Sequence, residues 1–178
     1  TFAISAQGIT AGPEITVTGN GFDIVSGEAA SVSKFTDFQT NTVRDFVIRN
    51  DGTSSLNVSG IAFSGADAAR FSVTVGGGAF NIAAGATRNI TITFAPTSTV
   101  AHNANMVINN SDTDEAAFTI PLQGIGIAAE IAVSGKDIDI PNGSIATTAN
   151  NNTSFGSVYI GSSWVRTFKI SNSGSVAL

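Results

Sequence analysis

The sequence predicts an all-β protein made of tandem two-sheet sandwiches, and three observations carry that prediction. Apolar residues alternate with polar ones in short runs, with no helical period of any length. Turn-forming clusters of Gly, Asn, Asp and Pro separate the runs at short intervals. The stretch FAISAQGITAGPEITVTGNGFDIVSG at residues 2–27 also recurs as FTIPLQGIGIAAEIAVSGKDIDIPNG at residues 118–143. Phe2/Phe118, Ile4/Ile120, Gln7/Gln123, Gly8/Gly124, Glu14/Glu130, Val17/Val133, Gly19/Gly135 and Asp23/Asp139 keep one offset, 118 − 2 = 116 residues. That exceeds the ~20–50 residues of a solenoid repeat and matches a domain of ~100–150 residues.

Residues 1–9 hold the alternating run Phe2–Ala6, which by the internal match is the last strand of a preceding repeat. Ile9–Gly12 is a linker, and Pro13-Glu14 opens a complete domain over residues 13–126. Ile15–Thr18 ends at Gly19, and Phe22–Val25 ends at Ser26-Gly27. Phe38–Thr42 reads as a weak edge strand. Phe46 and Ile48 share a face in VRDFVIRN, which stops at Asn50-Asp51-Gly52. Leu56, Val58 and Gly60 lead on to Ile61–Phe63, and Phe71, Val73 and Val75 form a strand broken by Gly76–Gly78. The clearest run is Arg88–Phe94, with Ile90, Ile92 and Phe94 on one face and Asn89, Thr91 and Thr93 on the other. Ala104, Met106 and Ile108 follow, then the acidic loop Ser111–Glu115, then Phe118, Ile120 and Leu122. Seven or more short strands with one apolar face each make a sandwich of immunoglobulin type.

Residues 129–178 read as the first half of a second such domain. VRTFKISNSG from Val165 echoes VRDFVIRNDG from Val43, now at 165 − 43 = 122, and Phe155–Gly161 reads as a fuller strand than Phe38–Thr42. A half sandwich leaves Phe168, Ile170 and Leu178 without an opposing sheet, beside an open strand edge. Burying each such side chain is worth ~1.5–3 kcal/mol. Either a longer polypeptide or strands from another protomer are expected to complete it.

Bulk properties narrow the function classes. A net charge of −5, with the eight Lys and Arg scattered, offers nucleic acid or anionic membranes little attraction. No apolar run approaches the ~18–20 residues of a membrane span. Cysteine is absent, which rules out disulfides and thiolate metal sites and is compatible with a bacterial exported protein. No signal peptide is present and residue 1 falls inside a strand pattern, so a mature piece or an excerpt is expected.

PEITVTGNGFDI, FGSVYIG…VRTFKISNSG, ITITFAP and INNSDTDEAAFTIPLQGIG, in that spacing, resemble the bacterial choice-of-anchor D repeats. Those are immunoglobulin-like domains related to the ASPM/Hydin-like (ASH) group. The resemblance implies repeats of large secreted or surface-anchored proteins that act as stalks or adhesive arms, and it brings no catalytic residues. Residues 40–43 depart from it, lacking the Gly-x-Val-x-x-Gly strand that the second copy keeps.

Candidate chemistry is sparse. Asp112, Asp114 and Glu115, with Asn109 and Asn110 nearby, could offer hard oxygens to calcium, although the loop lacks the glycine and distant bidentate Glu of an EF-hand. The plainer reading is a solvated acidic turn with no cofactor. His102, the only histidine, reads as a strand-end residue, since triad or zinc chemistry lacks its parts in the sequence around it. Trp164, Arg166, Phe168 and Ile170 share a strand face. Trp164 is expected in the core, and Arg44 and Arg166 are expected to cover the core's end with a carboxylate or carbonyl partner. The Asn-x-Ser/Thr triplets follow from composition, and Gly76–Gly78 has no Lys or helix start behind it to cradle phosphate.

The function expected is therefore structural and non-catalytic: a stalk, spacer or filament segment of an extracellular or cell-surface bacterial protein. Its partners would be neighbouring repeats and, by strand complementation, other protomers, with no nucleic acid and no membrane insertion. The alternative is a carbohydrate- or protein-binding accessory module of a larger secreted enzyme. Short linkers, Ile9–Gly12 and Ile125–Ala129, are expected to limit hinge motion.

Overall fold

The computed structural model describes residues 12–178, so the strand expected at residues 1–9 and most of the linker after it lie outside the described residues. The chain divides into two compact units, Thr1–Gly126 and Ile127–Leu178. The first is an immunoglobulin-like β-sandwich. Its strands are β1 (Ile15–Gly19), β2 (Phe22–Ile24), β3 (Val43–Asn50), β4 (Leu56–Ser64), β5 (Phe71–Val75), β6 (Phe80–Ile82), β7 (Thr87–Phe94), β8 (Ala101–Asn110) and β9 (Ala117–Ile125). One sheet runs β2-β1-β3-β7-β5 and the other β6-β4-β8-β9.

Alternation builds the core. Along β3, β7, β8 and β9 buried residues alternate with more exposed ones, and Phe46, Ile48, Ile90, Ile92, Met106, Ile108, Ile120 and Leu122 fill the space between the sheets. Phe71 stacks on Phe94 at 4.8 Å, and Phe38 meets both rings edge-on. A bulge between Val58 and Gly60 shifts the register of β4.

Between β2 and β3 the chain changes sheets, and no strand forms at Phe38–Thr42. Thr36–Gln39 instead runs parallel to the outer edge of β9: Phe38 N–H donates to Gln123 O (2.7 Å), Gln123 N–H to Thr36 O (3.0 Å) and Ile125 N–H to Gln39 O (2.7 Å). Odd-numbered N–H groups of β9 thus face away from β8. Pro121 falls on that side, so its missing N–H removes no bond from the β8–β9 ladder.

Asn50 joins the two sheets. Its buried Oδ1 accepts from Glu14 N–H (3.2 Å) and Gly52 N–H (3.1 Å), while Nδ2 donates to Ser54 O (2.7 Å) and Ile82 O (2.9 Å). All four bonding positions of one amide are used. The turn it holds needs Gly52, where a Cβ would overlap the Gly12 carbonyl oxygen.

The second unit contains one sheet, β11-β10-β12, from β10 (Ile131–Gly135), β11 (Ile138–Asp139) and β12 (Lys169–Asn172). Over its shorter strands it keeps the pairing register of β1–β3: Val133 faces Ile170 as Val17 faces Ile48, and Gly135 faces Ile138 as Gly19 faces Phe22. Two sequence expectations are corrected here. Phe155–Gly161 forms no strand, because its counterpart in the first unit is ordered by β9 and the second unit offers no such edge among the described residues. Trp164 is 56% exposed rather than in a core, with no second sheet over it among the described residues.

Asn50→Ala is expected to destabilise the first unit by about 3 kcal/mol, because it strands several buried backbone groups at once. Asn50→Asp should also destabilise, since it cannot donate to Ser54 O and Ile82 O. Urea unfolding of the full chain measures both; a loss below about 0.5 kcal/mol for the alanine variant would contradict the tie.

Candidate functional site

The acidic corner forms where the β8–β9 turn meets the start of β1. Asn110 shapes the turn: its Oδ1 accepts from Asp112 N–H (2.8 Å), and its Nδ2 donates to Glu115 O (2.9 Å). Asp112 is thereby folded inward and buried, and its Oδ2 accepts from Ile15 N–H at 2.9 Å. That bond carries Glu14 to the corner. Glu14, Asp112 and Asp114 each place a carboxylate oxygen within 4.8 Å of the others. Asp112 and Asp114 thus come together as the sequence suggested, but the third member of the group is Glu14. Glu115 lies outside that trio. Burial first, and then the charges of Asp112, Glu14 and Asp114, raise its pKa above the usual 4.5. Three hard oxygens suit a cation such as calcium, with one oxygen of Asp112 already committed to β1.

A second polar cluster was not legible in the sequence. His102, buried near the start of β8, lies 2.9 Å through Nδ1 from Asp67 Oδ1 and 3.2 Å through Nε2 from Ser98 Oγ. The expectation that a Ser–His–Asp line lacked its parts is corrected: the parts meet, contributed by the turn before β5, the β7–β8 turn and β8. Asp67 also accepts Asn103 N–H at 2.9 Å. The His102 and Asn103 bonds hold its carboxyl below the usual 3.8. His102 packs edge-on against Phe94 at 5.7 Å. A shallow cavity of about 460 Å³ beside this line is bordered by Gly65, Asp67, Asn103 and Gln123, and by neither Ser98 nor His102. The hydroxyl is therefore not presented to that cavity, and the observable work of the line is to clamp three segments together.

The arginines are likewise corrected. Arg44 sets its guanidinium 4.2 Å from the centre of the Phe35 ring, and its buried Nε has no hydrogen-bond partner. Arg166, at the same repeat position, lies 4.7 Å from the Trp164 ring and 5.9 Å from that of Phe155. Aromatic faces take the role expected of a carboxylate or carbonyl.

The family model for Cep192 domain 4 matches residues 32–127, just over half of the chain. The chain belongs to the Cep192 domain 4 family. The ASH/PapD-like domain of human CEP192 (PapD-like domain 7) is similar at 11% identity and a TM-score of 0.41, over 73% of this chain and 96% of that one. The secreted serine protease VesC from Vibrio cholerae is similar at 16% identity and a TM-score of 0.39, over 53% of this chain. This chain spans only 22% of that protease chain. No curated protein matches the sequence.

Glu115→Gln is expected to raise the melting temperature at about pH 7. A carboxylate whose folded pKa is raised weakens folding above that pKa, and the penalty disappears below the unfolded value of 4.5. Thermal unfolding at about pH 7 and again below pH 4 should show the gap between variant and wild type closing as pH falls. A variant less stable than wild type at neutral pH would refute the reading that burial and the neighbouring charges penalise the Glu115 carboxylate.

Proposed function

We propose that this member of the Cep192 domain 4 family is a non-catalytic spacer of the choice-of-anchor D type, a stalk or adhesive-arm segment of a secreted or surface-anchored bacterial protein. The observation that carries the reading is the repeated module: β1–β3 and β10–β12 share strand register, turn chemistry and side-chain ties, as expected of units made in tandem. The composition supports it, with few charges, no cysteine and many Gly, Asn and Thr. Neighbouring repeats of the same chain are its first partners. Antibody raised against residues 12–126 is expected to label intact cells of the source organism, and the parent reading frame to run through uninterrupted repeats. A pool confined to the cytoplasm would refute the surface role, and a catalytic domain in the same frame would favour an accessory module of a secreted enzyme.

The acidic corner of Glu14, Asp112 and Asp114 is the place for a stiffening calcium ion in such an array. Millimolar calcium is expected to raise the melting temperature of the wild type and not that of Asp114→Asn. An equal response in both would leave the corner a solvated acidic turn.

A further inference from the structure

The two sheets of the first unit differ in the chemistry of their strands. Asp23, Arg44, Asp45, Arg49 and Arg88 lie in the β2-β1-β3-β7-β5 sheet, whereas β4, β6, β8 and β9 contain no Asp, Glu, Lys or Arg. Alternation turns the apolar residues of these four strands inward and sets Asn57, Asn81, Asn103, Asn105, Asn109 and Gln123 outward. A face of neutral amides and small side chains gives an ion little hold. It suits groups that, like the amide itself, both donate and accept hydrogen bonds.

At one end of this face lies the cavity of about 460 Å³, within the ~300–1,000 Å³ of small-molecule sites. Asn103 and Gln123 stand opposite each other across the β8–β9 pair, and Asn105 stands opposite Pro121. Asn103 and Gln123 are therefore ~5 Å apart across the strands, and Asn103 and Asn105 ~7 Å apart along one, an area that suits a sugar ring. Elsewhere in the first unit amides are used by the fold: Asn50, Asn57, Asn81 and Asn110 all bond to protein groups. The side-chain amides of Asn103, Asn105 and Gln123 make no hydrogen bond to any described residue. Ala30, Ala66 and Pro121 border the same cavity with small apolar surfaces, and no Lys or Arg does so among the described residues.

Asp67 stands locked at the rim. Its Oδ1 lies 2.9 Å from Nδ1 of the buried His102, which Ser98 holds from the other side, and its Oδ2 accepts Asn103 N–H at 2.9 Å. Its side chain is nevertheless 28% exposed. The clamp thus fixes a carboxylate beside the three uncommitted amides, with lone pairs left to accept from a ligand's hydroxyls. A single carboxylate so engaged is a poor cation site, since a hard cation gathers several free oxygens.

We propose that this cavity binds one sugar residue of a neutral polysaccharide. Asp67 accepts from ring hydroxyls, while the amides of Asn103, Asn105 and Gln123 both donate to and accept from neighbouring hydroxyls. The C–H face of the sugar rests on Pro121 and the alanines. His102 and Ser98 are positioning residues that hold Asp67. The site goes beyond the spacer reading and does not depend on it: a stalk without glycan affinity passes the surface-labelling test and fails this one.

The test runs the full 178-residue chain through native gels cast with laminarin, mannan, xylan or dextran, with heparin and chitosan as polyanion and polycation controls. At least one neutral polysaccharide is expected to retard the chain, with little dependence on salt, and neither control to do so. Asn105→Ala and Gln123→Ala remove side chains that hold nothing else, so they should keep the wild-type melting temperature and weaken the apparent Kd about five- to tenfold each. Asp67→Asn should abolish retardation. Migration unchanged in all four neutral gels overturns the proposal. So does equal retardation of wild type and both amide variants, which places binding elsewhere, or salt-sensitive retardation by chitosan alone, which assigns Asp67 to a cation.

Discussion

A single buried amide governs this architecture. Asn50 ends β3, holds the turn that follows, receives the chain entering β1 and reaches across to β6 in the opposite sheet. Hydrophobic burial stacks two sheets but says little about their registration, because apolar contacts are non-directional. The directed bond from Asn50 Nδ2 to Ile82 O crosses between the sheets and ties them at a set position, while the other three hold the turn and the entry to β1. The same asparagine recurs as Asn172, and there it holds only the groups of its own sheet. The two positions therefore compare one tie with and without the strands it is built to join.

The polar side chains of the first unit perform the same kind of work on a smaller scale. Asp112 spends a buried carboxylate oxygen on the first N–H of β1, and His102 clamps two turns from the start of β8. A cost accompanies the first of these, since burial at this corner, and then the charges of Asp112, Glu14 and Asp114, raise the pKa of Glu115. Arg44 closes the core's edge through the face of Phe35. Each contact joins segments that the hydrophobic pattern alone leaves unregistered.

Most of the fold was legible in the sequence because a half-buried strand writes its burial as a period of two. Arg88–Phe94 and Val43–Asn50 were read with nearly their observed limits. β6 escaped, being only three residues long and paired at one edge. The candidate site was half legible. Asp112 and Asp114 lie two residues apart in one loop, whereas Glu14 reaches them through the Asp112–Ile15 bond. The Ser98–His102–Asp67 line escaped for the same reason: Asp67 lies 35 residues from His102, and no local pattern marks it.

By itself the sequence determined the all-β class, the placement of most strands of the first unit and the repetition of the β1–β3 module, because alternation, turn residues and internal identity are local or self-referential signals. Tertiary structure decided which side chains meet across the sandwich, and whether a strand pattern becomes a strand at all. Phe155–Gly161 has the pattern and stays irregular, while Thr36–Gln39 has a weaker one and is ordered against β9. A strand's backbone bonds are made with a neighbour, and no residue can encode a neighbour that is not beside it.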